Sequence, residues 1–395
     1  MCFVSCSFCT IFCLTYVLMI FWGIIPIAIA IFDSFTQEET VKCIQNVLDH
    51  YSELLNMSNI MPVDHEAQIM NLKESELNIT RFIDEGRFSV VYEAQNTSSG
   101  NKIICKVMKH KNVHKIMHEH GMLLRLKNIT NAIKYFGLYF IKSDICFLFE
   151  SIGSDTQYLS HKVTSQLTAM EVRLYILKLL ITLEECRSNR IMHRDVKPRN
   201  IIINRRSESL RLIDFGLSEV WRPNKTFTSH AASRNYKSPE LLLGLTTYDM
   251  AVDIWSAGCV LAGLIFLKEP FFEGDSAYDQ LLAIGSICSH QAILDLASKH
   301  QQTLSSSILV RNVTECFRNQ SRNSMDTVSK RLLIPWSRFR TNLNSHLCPD
   351  DALDLLSQML QVDPQERYTA SQCIKHRYFD PVRHLVTWPQ TASAN

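Results

Sequence analysis

The sequence predicts an α+β protein of two lobes, the first rich in β-strands and the second mostly α-helical. Three observations predict this. Over residues 77–107, Val, Ile, Tyr and Phe alternate around Ser98-Ser99-Gly100-Asn101, the pattern of β-hairpins. After Met170 the period changes, and Val172-Arg173-Leu174-Tyr175-Ile176-Leu177 onward to Leu183 reads as one long buried helix. Residues 254–266 are similarly apolar and helical. A strand-rich portion followed by a helix-rich one implies two lobes with a cleft between them.

In chain order, residues 1–32 carry no charge and are crowded with Phe, Ile, Leu, Val and Cys. A membrane-spanning helix needs about 20 such residues, so an anchor is one reading. A cleaved signal is the second: Ala28 and Ala30 suit a cleavage site, although no Lys or Arg precedes the run. A misplaced start is the third. Residues 33–75 form an extension in which Val41, Ile44, Val47, Leu48, Tyr51, Leu54 and Leu55 recur at helical spacing. The first lobe with its hinge is expected over 76–152, the second over 153–385, and a short tail over 386–395. The polar stretch 286–346 has no clear period and predicts no element.

Composition narrows the function. The 41 basic and 39 acidic side chains leave a net charge of +2, which excludes nucleic-acid binding through bulk charge. Of the 13 cysteines, Cys2, Cys6, Cys9 and Cys13 lie in the apolar run. No Cys-x-x-Cys occurs after it, so neither a zinc site nor a disulfide framework is signalled.

The chemistry is concentrated in Ile191-Met192-His193-Arg194-Asp195-Val196-Lys197-Pro198-Arg199-Asn200 and in Leu212-Ile213-Asp214-Phe215-Gly216. Ile201-Ile202-Ile203, Leu210 and Leu212 lie between, as a hairpin presenting both loops on one edge requires. Asp195 is placed to orient a hydroxyl or accept its proton, and Lys197 to neutralise a transferring phosphoryl group. Asn200 and Asp214 supply oxygens for a metal, and Ile213 lies beside them. Alone each piece is a common turn; in this order, with flanking strands, they specify a phosphoryl-transfer site.

Upstream, Lys106 closes the strand Ile103-Ile104-Cys105, where its ammonium suits nucleotide phosphates, and Glu119 on the next helix is its expected partner. Gly121 is unexpected there, because glycine weakens a helix. Ile83-Asp84-Glu85-Gly86-Arg87-Phe88-Ser89-Val90-Val91 overlays a glycine-rich phosphate loop, with Asp84 and Ser89 at two of its glycine positions. Gly86 permits close backbone approach, whereas Asp84 and Glu85 are expected to repel a polyanion. Phe149 is expected to line the nucleotide pocket, and Glu150 to Ile152 to form the hinge. Further on, Glu240 of Ser238-Pro239-Glu240 and Arg367 suit a buried ion pair, and Asp253 suits a bond to the catalytic-loop backbone.

These motifs resemble the protein kinases, and closely resemble the catalytic subunit of casein kinase 2, in the CMGC group of Ser/Thr kinases. It covers about residues 77–379, and its diagnostic stretches include Ala232-Ser233-Arg234, Phe266-Leu267-Lys268-Glu269-Pro270-Phe271-Phe272 and Tyr278-Asp279-Gln280-Leu281. The resemblance implies a bilobal kinase fold whose first lobe carries the αC helix. It implies transfer of the γ-phosphoryl of ATP, with Mg²⁺, to Ser or Thr in acidic sequence; GTP use stays open. Arg234 and Lys237 match readers of an acidic side chain, while His230 replaces an arginine usual there. The basic cluster before Glu119 is thinned to Asn112-Val113-His114-Lys115, with Lys109 and Lys111 nearby, so acidic selectivity is expected to be weakened, and to strengthen at low pH where His114 and His230 protonate.

Phe215 stands where the family has Trp. Asp64-His65-Glu66 faintly matches the segment that keeps the family active without phosphorylation. Implied partners are acidic protein substrates and a regulatory subunit on the first lobe, with membrane anchoring if residues 1–32 are an anchor. The kinase unit is expected in the cytoplasm or nucleus; the sequons at Asn56 and Asn224 go with a lumenal alternative. The rival function is a pseudokinase scaffold, favoured by Asp84, Glu85 and Gly121 and opposed by Lys106, Glu119, Asp195, Asn200 and Asp214.

Overall fold

The computed structural model describes residues 70–71, 77–109, 112–141, 144–160, 166–300 and 334–387. The apolar run, the helix expected within 38–57, Asp64-His65-Glu66, Lys111 and the Asn56 sequon lie outside the described residues. The chain divides into two compact units: the described residues up to Lys127 with Lys134–Ser151, and Asn128–Ile133 with the described residues from Ile152 onward.

Among the described residues, the first unit is a six-stranded sheet with one helix, α1 (Val113–Leu124). The strands are β1 (Met70–Asn71), β2 (Leu77–Glu85), β3 (Ser89–Asn96), β4 (Lys102–Met108), β5 (Tyr135–Ile141) and β6 (Asp144–Glu150), in the order β1-β5-β6-β4-β3-β2. Two-residue alternation sorts β4 into two faces. Ile103 and Cys105 pack with Leu77, Ala94, Cys146 and Leu148 in a core, which turns Lys106 to the opposite face. The β2–β3 register shifts between Ile79 and Arg81 and again between Phe82 and Asp84, so β2 bends just before the loop at Gly86.

Helix α1 starts where Asn112 accepts the Lys115 N–H through its side chain, an N-cap bond. Ile116, Met117, His120 and Leu123 are buried at helical spacing. Burial depresses the His120 pKa to about 4, so the ring that meets the Tyr135 hydroxyl through Nδ1 at 2.7 Å is neutral near pH 7. A Cβ added at Gly121 would meet nothing within 4 Å, so packing does not demand the glycine. Gly121→Ala should raise stability by about 1 kcal/mol, read as a higher urea midpoint at constant m; a lower midpoint would show that the helix needs the glycine.

The second unit is mainly helical. A long helix, α2 (Ala169–Ser188), opens with a capping box between Thr168 and Glu171 and buries 12 residues from Val172 to Cys186, as an apolar run flanked on all sides by protein requires. Short strands precede and follow it: β7 (Thr156–Tyr158), β8 (Ile191–Met192), β9 (Ile201–Asn204), β10 (Ser209–Leu212) and β11 (Glu219–Val220). β9 and β10 form the hairpin that the sequence predicts, with Leu212 opposite Ile201.

Helix α3 (Pro239–Leu242) leads to α4 (Ala251–Phe266), buried along its length from Val252. At Gly258 a Cβ would sit 2.8 Å from Leu360 Cδ2 and 3.1 Å from Met359 Cβ, so glycine lets this segment approach α4 closely. The polar stretch that predicts no element contains one. Helix α5 (Ala277–Ile284) continues through a π-turn at Gly285–Ser289 into α6 (His290–Lys299). The wider turn shifts the helical phase, which erases the 3.6-residue period from the sequence. Helices α7 (Asp350–Met359) and α8 (Ala370–Lys375) follow.

Candidate active site

In the second unit, the loop between β8 and β9 carries Asp195. Asp253, on α4, reaches under this loop and accepts the N–H groups of His193 and Arg194, each at 2.8 Å. Burial raises the Asp253 pKa, and these bonds act against that rise. The Asp195 N–H donates to His193 Nδ1 at 3.2 Å. That leaves the ring proton on Nε2, which bonds the Ile213 carbonyl at 3.0 Å. His193 thus joins the Asp195 loop to the strand end bearing Asp214.

Asp195 is buried and its carboxylate is gripped on both oxygens. Oδ1 accepts the Ser233 N–H and Ser233 Oγ, each at 2.9 Å. Oδ2 accepts Lys197 Nζ at 2.7 Å and Asn200 Nδ2 at 3.1 Å. Four donors, one of them cationic, fix the carboxylate's orientation. Lys197 Nζ also donates to Ser233 Oγ at 2.9 Å. Asn200 Nδ2 further donates to the Asp195 carbonyl at 2.8 Å, which commits the amide nitrogen and leaves Oδ1 as the group's acceptor.

The Asn200 carbonyl accepts the Ile213 N–H at 2.9 Å, tying the loop that ends at Asn200 to the one that begins at Asp214. Asp214 has φ +62° and an exposed side chain. A non-glycine residue held in the left-handed region is strained, a state that clusters at functional sites. Phe215 is fully buried and packs edge-on to His193, with centroids 4.6 Å apart. Phenylalanine therefore fills an enclosed site here.

Beyond Asp214, Arg194 donates through Nε to the Leu217 carbonyl at 2.7 Å and through Nη1 to Tyr248 Oη at 3.0 Å, with Glu219 4.0 Å away. Arg234, directly after Ser233, is exposed, as is His230. Lys237 differs from the expectation of a substrate-facing ammonium: its Nζ donates to the Ser229 carbonyl at 3.0 Å, and burial lowers its pKa. Here the lysine braces the segment. Glu240 and Arg367 form a fully buried bidentate pair at 2.8 and 3.1 Å. Arg367 also bonds the carbonyls of Ala251, Gln361 and Val362.

In the first unit, Lys106 Nζ and Glu119 Oε1 are 2.7 Å apart with both side chains largely shielded. Within the sheet, Lys106 lies opposite Val91 on β3 and Phe147 on β6. Phe149 is buried against Tyr135 and Phe147. Glu150 accepts the Lys134 N–H through its carboxylate at 2.9 Å. Ile152 belongs to the second unit, where its carbonyl accepts Asn204 Nδ2 at 2.8 Å.

The loop joining β2 to β3 departs from the expected repulsion. Ile83 and Asp84 are half-buried, and Asp84 Oδ1 accepts the Glu85 N–H at 2.8 Å. Lys109 Nζ bonds Glu85 Oε1 at 2.5 Å and the Gly86 carbonyl at 2.8 Å. The Glu85 charge is thus paired rather than bare. Gly86 has space for a Cβ, its nearest contact being the Ser89 carbonyl at 3.8 Å, so folding does not require the glycine. Arg87 and Lys115 flank the exposed Phe88 ring at 5.3 and 4.8 Å, and Ser89 is buried.

A protein kinase domain model matches residues 77–379. The chain belongs to the protein kinase family. It is a phosphotransferase with the bilobal α+β kinase fold, whose β-rich unit carries α1 and whose other unit is helical. Protein kinase domains use ATP and Mg²⁺. A nucleotide-borne Mg²⁺ takes only one or two protein oxygens beside phosphate oxygens, a demand that Asn200 Oδ1 and the Asp214 carboxylate fit. In this kinase, motif reading overlooked Ser233, His193 and Lys109. Ser233 had only its place in the Ala232-Ser233-Arg234 stretch as a signal, and His193 only its adjacency to Asp195. Lys109 had only its place near the thinned basic cluster before Glu119 as a signal.

Proposed function

We propose that this kinase transfers the γ-phosphoryl of ATP to Ser and Thr hydroxyls followed by acidic residues, as the casein kinase 2 catalytic subunit that it resembles would. The observation that carries the reading is the four-donor clamp on the Asp195 carboxylate. Asp195 orients the acceptor hydroxyl and takes its proton. Lys197, already beside that carboxylate, neutralises the phosphoryl group in transit. Lys106, fixed by Glu119, binds the nucleotide phosphates. Asn200 and Asp214 hold Mg²⁺, whose bound charge offsets that developing on the phosphates. Catalysis is positioning and charge neutralisation.

Acidic preference is supported by Arg234. Ser233 touches Asp195, so its exposed neighbour Arg234 sits where a carboxylate just after the target serine would arrive. Phosphorylation-independent activity is supported by Arg194, whose guanidinium already has protein partners.

The test is radiolabel transfer onto matched peptides with Glu or Ala after the serine. We expect roughly tenfold preference for Glu, the worth of one charge-assisted hydrogen bond, lost in Arg234→Ala and unaffected by prior phosphatase treatment. Equal transfer to both peptides would remove the acidic preference, and loss of activity after phosphatase would remove the independence.

A further inference from the structure

We infer that Lys109 is a positioning residue for the nucleotide: it pins the phosphate loop and offsets the Glu85 charge that stands beside Gly86. The inference rests on the reading of residues 83–91 as the nucleotide loop.

Three bonds from this one residue hold the loop. Its backbone N–H donates to the Phe88 carbonyl at 2.9 Å, its Nζ donates to the Gly86 carbonyl at 2.8 Å, and the same Nζ meets Glu85 Oε1 at 2.5 Å. The Gly86 N–H closes the turn onto the Ser89 carbonyl at 2.9 Å. The loop tip is therefore tied to the residue that follows β4, three beyond Lys106. A second tie runs from the tip to α1, where Lys115 lies 4.8 Å over the Phe88 ring, one helical turn before Glu119. The loop, Lys106 and Glu119 are thus fixed to one another through β4 and α1.

The charge argument has a sign. Asp84 and Glu85 place two carboxylates on a loop that must approach a polyanion, and a bare carboxylate there raises the cost of binding. Lys109 offsets one of them and, through the Gly86 carbonyl, holds the backbone at a fixed height. The Lys109–Glu85 pair is partly exposed, so its value lies in where it holds the loop rather than in overall stability.

The experiment is a double-mutant cycle on the full chain, reading dissociation of a fluorescent ATP analogue with Mg²⁺ and, separately, kcat and KM for ATP. Lys109→Met should weaken nucleotide binding about three- to tenfold, raise KM by the same factor and leave kcat within about twofold, the signature of lost uniform binding. Lys109→Arg should restore most of the loss. In a Glu85→Gln background, Lys109→Met should cost less than half as much, because the charge it masks is gone. An undiminished or larger effect there would mean that Lys109 touches the phosphates directly, which overturns the inference. A fall in kcat with unchanged KM would overturn it as well. If wild type fails to bind the analogue, the nucleotide-loop reading itself fails, a result distinct from binding that Lys109 does not influence.

Discussion

Asp195→Asn should reduce phosphoryl transfer about 10²–10⁴-fold, the usual worth of a positioned general base, while leaving nucleotide binding intact. The substitution keeps size and shape but removes the charge that Lys197 Nζ meets at 2.7 Å. It also places an amide NH2 against one of the two donor pairs, so that either Ser233, or Lys197 with Asn200, loses its side-chain acceptor. The proposed nucleotide ligands Lys106, Asn200 and Asp214 are unaltered. A filter-binding transfer assay run beside a fluorescent-nucleotide titration separates the two effects. Incorporation equal to wild type would refute the role given to Asp195, and binding lost together with transfer would show that the residue shapes the nucleotide site instead.

The second large effect concerns stability. Arg367→Met should destabilise the helical unit by about 3–5 kcal/mol, because it strands a buried carboxylate. Glu240 is 1% exposed, and both its oxygens accept from Arg367. Three backbone carbonyls lose a donor as well. Glu240→Gln should cost less, since the guanidinium keeps those carbonyls and retains one side-chain oxygen as an acceptor. Chemical denaturation of both variants checks the order; if Glu240→Gln proves the more damaging, the pair is not held together as described. The guanidinium also lies 5.1 Å over the Trp255 ring, so quenched or shifted tryptophan emission should accompany the loss.

Some of this architecture was legible from spacing alone. The strand pairs around Gly100, helix α2 and helix α4 follow from a two-residue or a 3.6-residue period maintained over many positions. The β9–β10 hairpin follows from two short apolar runs separated by polar residues. Legibility failed where the period was broken, as at the π-turn of Gly285–Ser289, and where charge was counted without its partner, as at Glu85. Lys237 fails for a related reason: a basic residue near a substrate-reading stretch suggests an exposed charge, but the fold turned it to the Ser229 carbonyl.

The sequence by itself determined the class of chemistry, because Asp195, Lys197, Asn200 and Asp214 lie in short motifs whose flanking strands set their local geometry. Only the tertiary structure decided what grips those groups. Ser233 lies 38 residues from the carboxylate it holds, Asp253 lies 60 from the His193 N–H it accepts, and Lys109 lies 23 from the Gly86 carbonyl. Such contacts depend on how the chain closes on itself, and no local pattern records which distant donor will arrive at a given acceptor.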